Sequence, residues 1–352
     1  MGGKQSTNKM QFTFIGPSTY GISSYYNTKR IKNKSYILLC SFLPFIELIK
    51  SIKNTKIKQN IIKYNLKTEI PERTLTEHTN PIMAIVKLND NEIAIGDQGS
   101  CIRIWNLRTG ECQITAKYVH RWIIYDIIKL NESHIASGSG DHTIKIWNFN
   151  NFNCIRTLDT QNWVWCLEKL DNKHIVSGGD FSIKIWDYAE GQCIITIKMS
   201  RIKKLSNKIY SLAKLNSNII ACAGFQFIET FDVNKNILLN FIEFTINTTI
   251  TCLVKLNSNL FVCGDWNMKL LDSNLNIVKT LEKQNVDVIV KLNLIHFASG
   301  AGQNIHVWDF TNGNHIKTIS TGNQFNIKSM IKFNSKLVIG TYSGNRIDIL
   351  NY

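Results

Sequence analysis

A segment of roughly 40 residues recurs through most of this 352-residue chain. One copy reads HIASGSGDHTIKIW (134–147), in which two short apolar stretches flank a Gly-Ser-Gly-Asp turn. Further copies are EIAIGDQGSCIRIWN (92–106), HIVSGGDFSIKIWD (174–187) and HFASGAGQNIHVWD (296–309). A Lys-Leu or Lys-Phe pair marks seven such units, and the second residues of these pairs are Leu88, Leu130, Leu170, Leu215, Leu256, Leu292 and Phe333. The spacings between them are 42, 40, 45, 41, 36 and 41 residues, so one structural unit is repeated along the chain.

A period of roughly 40–45 residues, with short strands and a Trp-Asp ending, is the signature of a propeller blade of four strands. The sequence therefore predicts an all-β fold. Residues 72–352 should form a seven-bladed β-propeller, preceded by a short basic and partly helical N-terminal region.

The units resemble the WD-repeat (WD40) family, and the resemblance covers residues 72–352. The second unit carries the family's polar set at the family's spacing: His120, Ser139, Asp141 and Trp147. The resemblance implies that these four side chains form a structural chain of hydrogen bonds from a loop to the indole. Although His, Ser and Asp occur together, no hydrolytic triad is predicted. The other units are degenerate, with Gly99 in place of the turn aspartate in the first.

The end of the chain predicts how the ring closes. The seventh unit stops at Tyr352, before an outer strand can follow. Residues 72–75 (ERTL) match the outer-strand sequence CIRTL (154–158) of the second unit. We therefore expect residues 72–75 to pair with residues 345–350, which removes the open edge.

The resemblance also implies a protein-binding face, formed by the loops that precede the innermost strand of each blade. Aligning the units on that strand places several aromatic and charged residues near the mouth of the central channel. The candidates for partner binding are Trp122, Tyr125, Trp163, Trp165, Tyr210, Asp287 and Lys328. Aromatic residues are enriched at binding hot spots. The alternative is that these aromatic residues only pack between blades.

The N-terminal 34 residues form a basic tail with a lipidation signal. Met1-Gly2-Gly3-Lys4-Gln5-Ser6 fits the pattern for N-myristoylation of Gly2. Residues 1–71 carry +10 of the net +15 charge, and a single acyl chain needs such a second signal to hold an anionic membrane. A cytoplasmic protein, peripheral at a membrane, is expected; the alternative is a solvated tail. Since the repeats carry only +5, no nucleic-acid partner is expected.

Residues 35–71 are predicted to form a short helical segment and a linker. The sequence ILLCSFLPFIELIKSI (37–52) resembles the centre of an F-box. If residues 36–66 bind an F-box adaptor, the protein is a substrate receptor of a ubiquitin ligase. The other interpretation is a small helical element beside the propeller.

No feature of the sequence predicts catalysis or a cofactor. The nine cysteines lack Cys-x-x-Cys spacing, which indicates buried thiols and not a zinc site or a disulfide framework. The sequence GPSTYGIS (16–23) resembles a phosphate-binding loop, but Ile22 replaces its lysine. The expected function is a non-enzymatic protein-interaction scaffold with protein or peptide partners and no small-molecule substrate.

Overall fold

The computed structural model describes residues 26–31, 34–39 and 71–352, except 181, 200–207, 245–247, 265–266, 284 and 322–324. The chain divides into two units, residues 1–65 and 66–352. In the first unit, β1 (Tyr26–Ile31) and β2 (Lys34–Leu39) form an antiparallel hairpin with Tyr26 opposite Leu39.

The hairpin differs from the expectation at its end. The sequence predicts a helical segment from residue 35, but residues 35–39 lie in β2. Tyr36 and Ile37 favour strands, and pairing with β1 satisfies the backbone of this stretch. The rest of the predicted helical segment (40–70), and Gly2 with its myristoylation signal, lie outside the described residues.

The second unit is a seven-bladed propeller of four-stranded antiparallel sheets over its described residues. The innermost strands of blades 1 to 7 are β4 (Ile82–Lys87), β8 (Ile124–Lys129), β12 (Cys166–Lys169), β16 (Ile209–Lys214), β20 (Cys252–Lys255), β24 (Val288–Lys291) and β28 (Ile327–Phe333). The second strands are β5 (Glu92–Asp97), β9 (His134–Ser139), β13 (His174–Gly178), β17 (Ile219–Gly224), β21 (Leu260–Gly264), β25 (His296–Ala301) and β29 (Lys336–Thr341). The third strands are β6 (Ile102–Asn106), β10 (Thr143–Asn148), β14 (Ser182–Asp187), β18 (Phe227–Asp232), β22 (Asn267–Asp272), β26 (Asn304–Asp309) and β30 (Ile347–Asn351). The outer strands are β7 (Glu111–Ala116), β11 (Asn153–Asp159), β15 (Gln192–Lys198), β19 (Ile237–Glu243), β23 (Ile277–Lys283), β27 (Asn314–Ser320) and, for blade 7, β3 (Arg73–Leu75).

The innermost strands of neighbouring blades contact one another in a closed cycle, in which β28 of blade 7 meets β4 of blade 1. The described residues contain no helix. Accordingly, none of the described segments is a helix long and apolar enough to cross a membrane.

The ring closes through a strand from the start of the propeller. β3 pairs antiparallel with β30, and Thr74 lies opposite Asp348. The pairing falls within the two segments, 72–75 and 345–350, from which the sequence analysis expects closure. The Thr74 hydroxyl donates a hydrogen bond of 2.6 Å to the Asp348 carboxylate, which is fully buried. The last blade is thereby completed by residues more than 270 positions away along the chain.

The hydrophobic core lies between blades and not within them. Trp147 of β10 packs with Ile102 and Ile104 of β6, and Trp186 of β14 packs with Ile144 and Ile146 of β10. Because these interfaces are filled by aliphatic and aromatic side chains, the units can lose polar residues and still stack.

The Lys-Leu-Asn stretches that mark the repeat have a structural explanation in this arrangement. Most of the leucines are buried in the inter-blade core, as Leu130 is, and Leu215 is half-buried against it. The next residue caps the following hairpin, since the Asn131 side-chain oxygen accepts the N–H groups of Ser133 and His134 at 2.9 Å. The lysines reach to the preceding blade, and the pairs that donate to its leucine carbonyl are Lys169 to Leu130, Lys214 to Leu170, Lys255 to Leu215 and Lys332 to Leu292. The repeat marker therefore combines a core contact, a turn cap and an inter-blade hydrogen bond.

Candidate functional site

A chain of buried hydrogen bonds in blade 2 joins the loop before β8 to β9 and β10. His120 Nδ1 lies 2.9 Å from Asp141 Oδ2, and His120 Nε2 lies 2.7 Å from Ser137 Oγ. The Trp147 indole N–H donates to the same hydroxyl at 2.8 Å. All partners are satisfied when His120 Nδ1–H donates to Asp141 and Nε2 accepts the hydroxyl proton. The four side chains therefore tie a loop and two strands together.

The serine of this chain is Ser137, so the assignment of Ser139 is wrong. Ile135 is the residue opposite Trp147, and Ser137 is two residues further along β9. With a rise of about 3.3 Å per residue, Ser139 lies about 7 Å beyond Ser137, out of reach of the indole. Ser139 instead donates to the Trp122 carbonyl at 3.2 Å and accepts the Asp141 N–H at 3.1 Å. The other predicted members, His120, Asp141 and Trp147, are brought together.

The repeats contain the signal for this correction. Serine recurs at the place of Ser137 in HIAS, HIVS and HFAS, whereas glycine or alanine stands at the place of Ser139 in the third and sixth units. In blade 3 the Trp186 indole donates to Ser177 at 2.9 Å, and in blade 6 the Trp308 indole donates to Ser299 at 2.9 Å.

The Asp141 carboxylate is held in its charged form. Burial raises its pKa, but hydrogen bonds from His120, Thr143 and the Arg121 N–H outweigh burial and hold the pKa well below its usual range. These donors anchor the turn between β9 and β10.

Blade 1 has a different polar cluster around the same indole position. His78 Nδ1 lies 3.0 Å from both Asp97 Oδ2 and Arg103 Nη1. Asp97 ends β5 and replaces the turn aspartate, whose expected position holds Gly99. Sequence comparison with blade 2 missed Asp97 because it comes from the strand and not from the turn. Burial and Arg103 together lower the pKa of His78, although Asp97 opposes them.

The position of the bridging serine is taken by Ile95 in blade 1, opposite Arg103. Within the part of the chain that the structure describes, His78 Nε2, Arg103 Nε and Trp105 Nε1 are buried without a hydrogen-bond partner. His78 Nε2 and Trp105 Nε1 correspond to His120 Nε2 and Trp147 Nε1, which are both bonded to Ser137 Oγ in blade 2.

Four of the predicted partner-binding residues form one aromatic cluster. Tyr125 of β8, Trp163 and Trp165 before β12, and Tyr210 of β16 come from three neighbouring blades. The ring centroids of Tyr125 and Trp165 are 4.4 Å apart, those of Trp163 and Trp165 are 5.1 Å apart, and those of Trp165 and Tyr210 are 5.5 Å apart. All four side chains are half-buried, so the cluster both packs between blades and reaches the surface. The name aromatic cluster refers to these four residues below.

Two charged residues complete the aromatic cluster, and the sequence prediction did not select them. The Lys208 ammonium lies 4.7 Å from the Trp165 ring centroid and 5.6 Å from that of Trp163. The Trp165 indole N–H donates to Asp180 Oδ1 at 3.0 Å. Lys208 stands directly before Ile209, as Trp163 stands directly before Val164. The alignment of units therefore places the two residues at equivalent positions around the mouth of the channel.

Trp122 stands beside the cluster on a firmly held backbone. Its carbonyl accepts the hydroxyls of Ser100 at 2.5 Å and Ser139 at 3.2 Å, while its side chain is 53% exposed. The ring covers Gly140, where a Cβ atom would lie 2.5 Å from Trp122 Cδ1. A side chain at position 140 would therefore displace the Trp122 ring.

Asp287 and Lys328 lie on blades 6 and 7, away from the aromatic cluster. The Lys328 ammonium is 3.9 Å from Asp287 Oδ1, and both are half-buried. Burial raises the pKa of Asp287 and Lys328 lowers it, with burial the larger cause. The structure thus pairs these two predicted residues with each other.

Two further carboxylates lie on the innermost strands. Asp126 of β8 accepts the N–H groups of Ile127 and of Leu167 in the next blade, each at 2.8 Å, and burial raises its pKa to about 6. Glu168 of β12 has a pKa raised to about 7 by burial and by Asp126. Both titrate near neutral pH.

The described residues contain no group of three or more His, Cys, Asp or Glu side chains that could hold a metal ion. The eight described cysteines are free thiols, and burial raises the pKa of Cys101 to about 11 and that of Cys252 to about 12.

Comparison with known protein families identifies two of the repeats. The family model described as WD domain, G-beta repeat, matches residues 113–148 and 152–187, which span the polar chain of blade 2 and the indole–serine bond of blade 3. No curated protein matches the chain.

Proposed function

Because the chain carries WD40 repeats and folds as a seven-bladed propeller, a class that generally acts as a protein-interaction scaffold, we propose that it binds a protein partner through the aromatic cluster and the neighbouring Trp122. The observation that carries this proposal is a surface of four half-buried aromatic rings beside one exposed tryptophan, on a rigid support. Aromatic side chains supply large contact area at a small cost in conformational entropy.

The positions of these residues support the proposal. The cluster joins three blades, so its rings are held by the propeller and not by a single loop. Trp122 adds an indole whose backbone is fixed by two serine hydroxyls. A partner that binds here meets a preorganised surface, which reduces the entropy lost on binding.

Site-specific photo-crosslinking tests the proposal in the cell of origin. A benzophenone side chain at position 122 should capture a partner, and the same group at position 217, in the exposed hairpin at the opposite end of β16, should not. Capture at 122 should be lost in Trp163→Ala and Trp165→Ala. Equal capture at both positions, or capture that survives both substitutions, would place the interface elsewhere.

We also propose that the scaffold is recruited to a membrane. The Gly2 signal and the +10 charge of residues 1–71 support this proposal. Coexpression with an N-myristoyltransferase should add a myristoyl group to the intact mass. The product should float with anionic vesicles, and Gly2→Ala should abolish both results. An unmodified N-terminus with no flotation would remove the membrane from the proposed function and leave a cytoplasmic scaffold.

The alternative, a substrate receptor of a ubiquitin ligase, is supported by the F-box-like sequence ILLCSFLPFIELIKSI (37–52). Its first residues, up to Leu39, lie in β2. Copurification with an F-box adaptor, lost on deletion of residues 36–66 and kept on substitution of Trp163, would favour this alternative.

A further inference from the structure

The aromatic cluster holds a cation of the chain itself. The Lys208 ammonium lies against two indole rings, at 4.7 and 5.6 Å from their centroids. A cation is attracted to the negative face of an indole within about 6 Å of the ring centroid. Lys208 is itself only half-buried, so this occupant comes from the surface and is able to leave.

The surroundings of the rings favour a cation over an apolar group. Asp180 accepts the indole N–H of Trp165 at 3.0 Å, so a carboxylate lies at the edge of that ring and adds electrostatic attraction for a cation. Tyr125 lies 4.4 Å from the same ring, and Tyr210 meets its edge at 5.5 Å. Trp165 is therefore the centre of a site bounded by three aromatic rings and one carboxylate.

We propose that the protein partner inserts an alkylammonium side chain, a lysine or its N-methylated form, into the aromatic cluster in place of Lys208. This inference rests on the proposed function and names the chemistry of its partner. Lys208 acts as an intramolecular competitor: it fills the site in the free protein and is displaced on binding. Its ammonium can then return to water, so the exchange of one cation for another costs little desolvation.

A small probe tests the site apart from any partner. Tetramethylammonium is titrated into the full chain at constant ionic strength, and the indole N–H signals are followed by NMR. Binding should shift the Trp165 and Trp163 signals and should tighten about threefold to sixfold in Lys208→Gln. The reason is that a cation–π contact at an exposed site holds Lys208 in place with an equilibrium constant K of about two to five. Removing such a competitor raises the apparent affinity of the probe by a factor of 1 + K. Lys208→Arg keeps a cation in place and should remain near wild type.

Matched variants make the result decisive. Trp165→Leu should weaken binding of the probe about twofold to fivefold, because that ring makes the closest contact with the Lys208 cation. Tyr118→Leu removes an aromatic side chain that is 85% exposed and lies outside the aromatic cluster, and it should leave binding unchanged. A neutral analogue of the same shape, neopentyl alcohol, should bind much more weakly than the cation.

The inference is overturned if the neutral analogue binds as tightly as the cation, or if Lys208→Gln binds the cation no better than wild type. Such a result, together with crosslinking at position 122 that still depends on Trp163 and Trp165, would leave the scaffold in place and remove the lysine chemistry. If position 122 captured no partner while the probe still bound, the cation site would stand and the proposed partner interface would be contradicted.

Discussion

Blades 1 and 2 bury a tryptophan at the same place in the sheet, and they differ in what its indole N–H meets. In blade 2, Trp147 donates to Ser137 at 2.8 Å. In blade 1, Trp105 has Ile95 in that place, and its indole nitrogen is buried without a hydrogen-bond partner among the described residues. Both tryptophans are nearly fully buried.

The difference shows which part of a blade the fold requires. Trp105 still packs with Ile93, Ile95 and the residues of blade 7, so the inter-blade core tolerates the loss of the polar chain. The loss is nevertheless a cost in stability, since a buried polar group without a partner costs about 1–3 kcal/mol. Blade 1 carries instead a separate polar cluster of His78, Asp97 and Arg103.

Among the buried hydrogen bonds of the two blades, the chain in blade 2 should cost the most stability when it is broken. Ser137→Ala leaves the Trp147 N–H and His120 Nε2 without partners, and it should lower the free energy of unfolding by about 2–4 kcal/mol. The urea midpoint should fall with an unchanged denaturant slope. If the free energy of unfolding stayed within about 0.5 kcal/mol of wild type, the polar chain of blade 2 would contribute little to stability. Its absence from blade 1 would then cost little as well.

The reverse substitution, in blade 1, should restore part of the missing hydrogen bonding. Ile95→Ser offers a hydroxyl to the two unsatisfied atoms, His78 Nε2 and Trp105 Nε1. Both Ile95→Ser and Ile95→Ala should destabilise the protein through the lost aliphatic side chain, by about 2–5 kcal/mol for alanine. The serine variant should be the more stable of the two by about 1–2 kcal/mol, because it restores two buried hydrogen bonds.

Ile339 provides the matched control for this order. It occupies the corresponding place of blade 7, two residues after Leu337, which lies opposite Leu350 and not opposite a tryptophan. With no indole N–H to satisfy, Ile339→Ser should be less stable than Ile339→Ala. The same order at both positions would contradict the explanation given for blade 1.

The two blades should also differ in their response to acid. Burial holds the pKa of His78 below the ordinary value of 6.5, so the unfolded chain binds a proton before the folded one. Its contribution to stability is complete above pH 6.5 and is lost as the pH falls below it. The pKa of Asp141 in blade 2 is depressed, so its contribution is lost only below the ordinary value of 3.8.

A variant isolates the contribution of His78. Wild type should lose stability relative to His78→Asn as the pH falls from 7.5 to 5, because the unfolded chain binds the proton that the folded chain resists. Taking this difference cancels Asp126 and Glu168, whose raised pKa values act in the opposite direction over the same range. If the difference in unfolding free energy between wild type and His78→Asn did not change with pH, the folded protein would not resist protonation of His78.

The repeat predicted the propeller because its period, its turn residues and its aliphatic alternation all follow from one unit of four strands. The aromatic cluster followed from aligning the units, since residues at one register of neighbouring innermost strands must meet at one end of the channel. Ser137 could also have been found, because serine recurs at its place in three units. Counting along the strand from Ile135 opposite Trp147 is what separates it from Ser139.

Other features depend on geometry that no single unit encodes. Asp97 pairs with His78 from the end of a strand, where the repeat pattern places no acid. Lys208 was aligned with Trp163, yet its contact with two rings depends on how blades 3 and 4 face each other. The pairing of Asp287 with Lys328 likewise joins separate blades. Such cross-blade contacts follow from the closed ring, which a pattern along the chain describes only indirectly.

The smallest expected effect separates the two serines of blade 2. Ser139→Ala removes a hydrogen bond of 3.2 Å to the Trp122 carbonyl, but Ser100 still donates to that carbonyl at 2.5 Å. The Asp141 N–H loses its acceptor at a half-buried site. The loss in unfolding free energy should therefore be about 0.5–1 kcal/mol, well below that of Ser137→Ala. If urea unfolding showed Ser139→Ala to be the less stable variant, Ser139 and not Ser137 would link His120 to Trp147. Ile95 would then not explain the indole of blade 1 that lacks a hydrogen-bond partner.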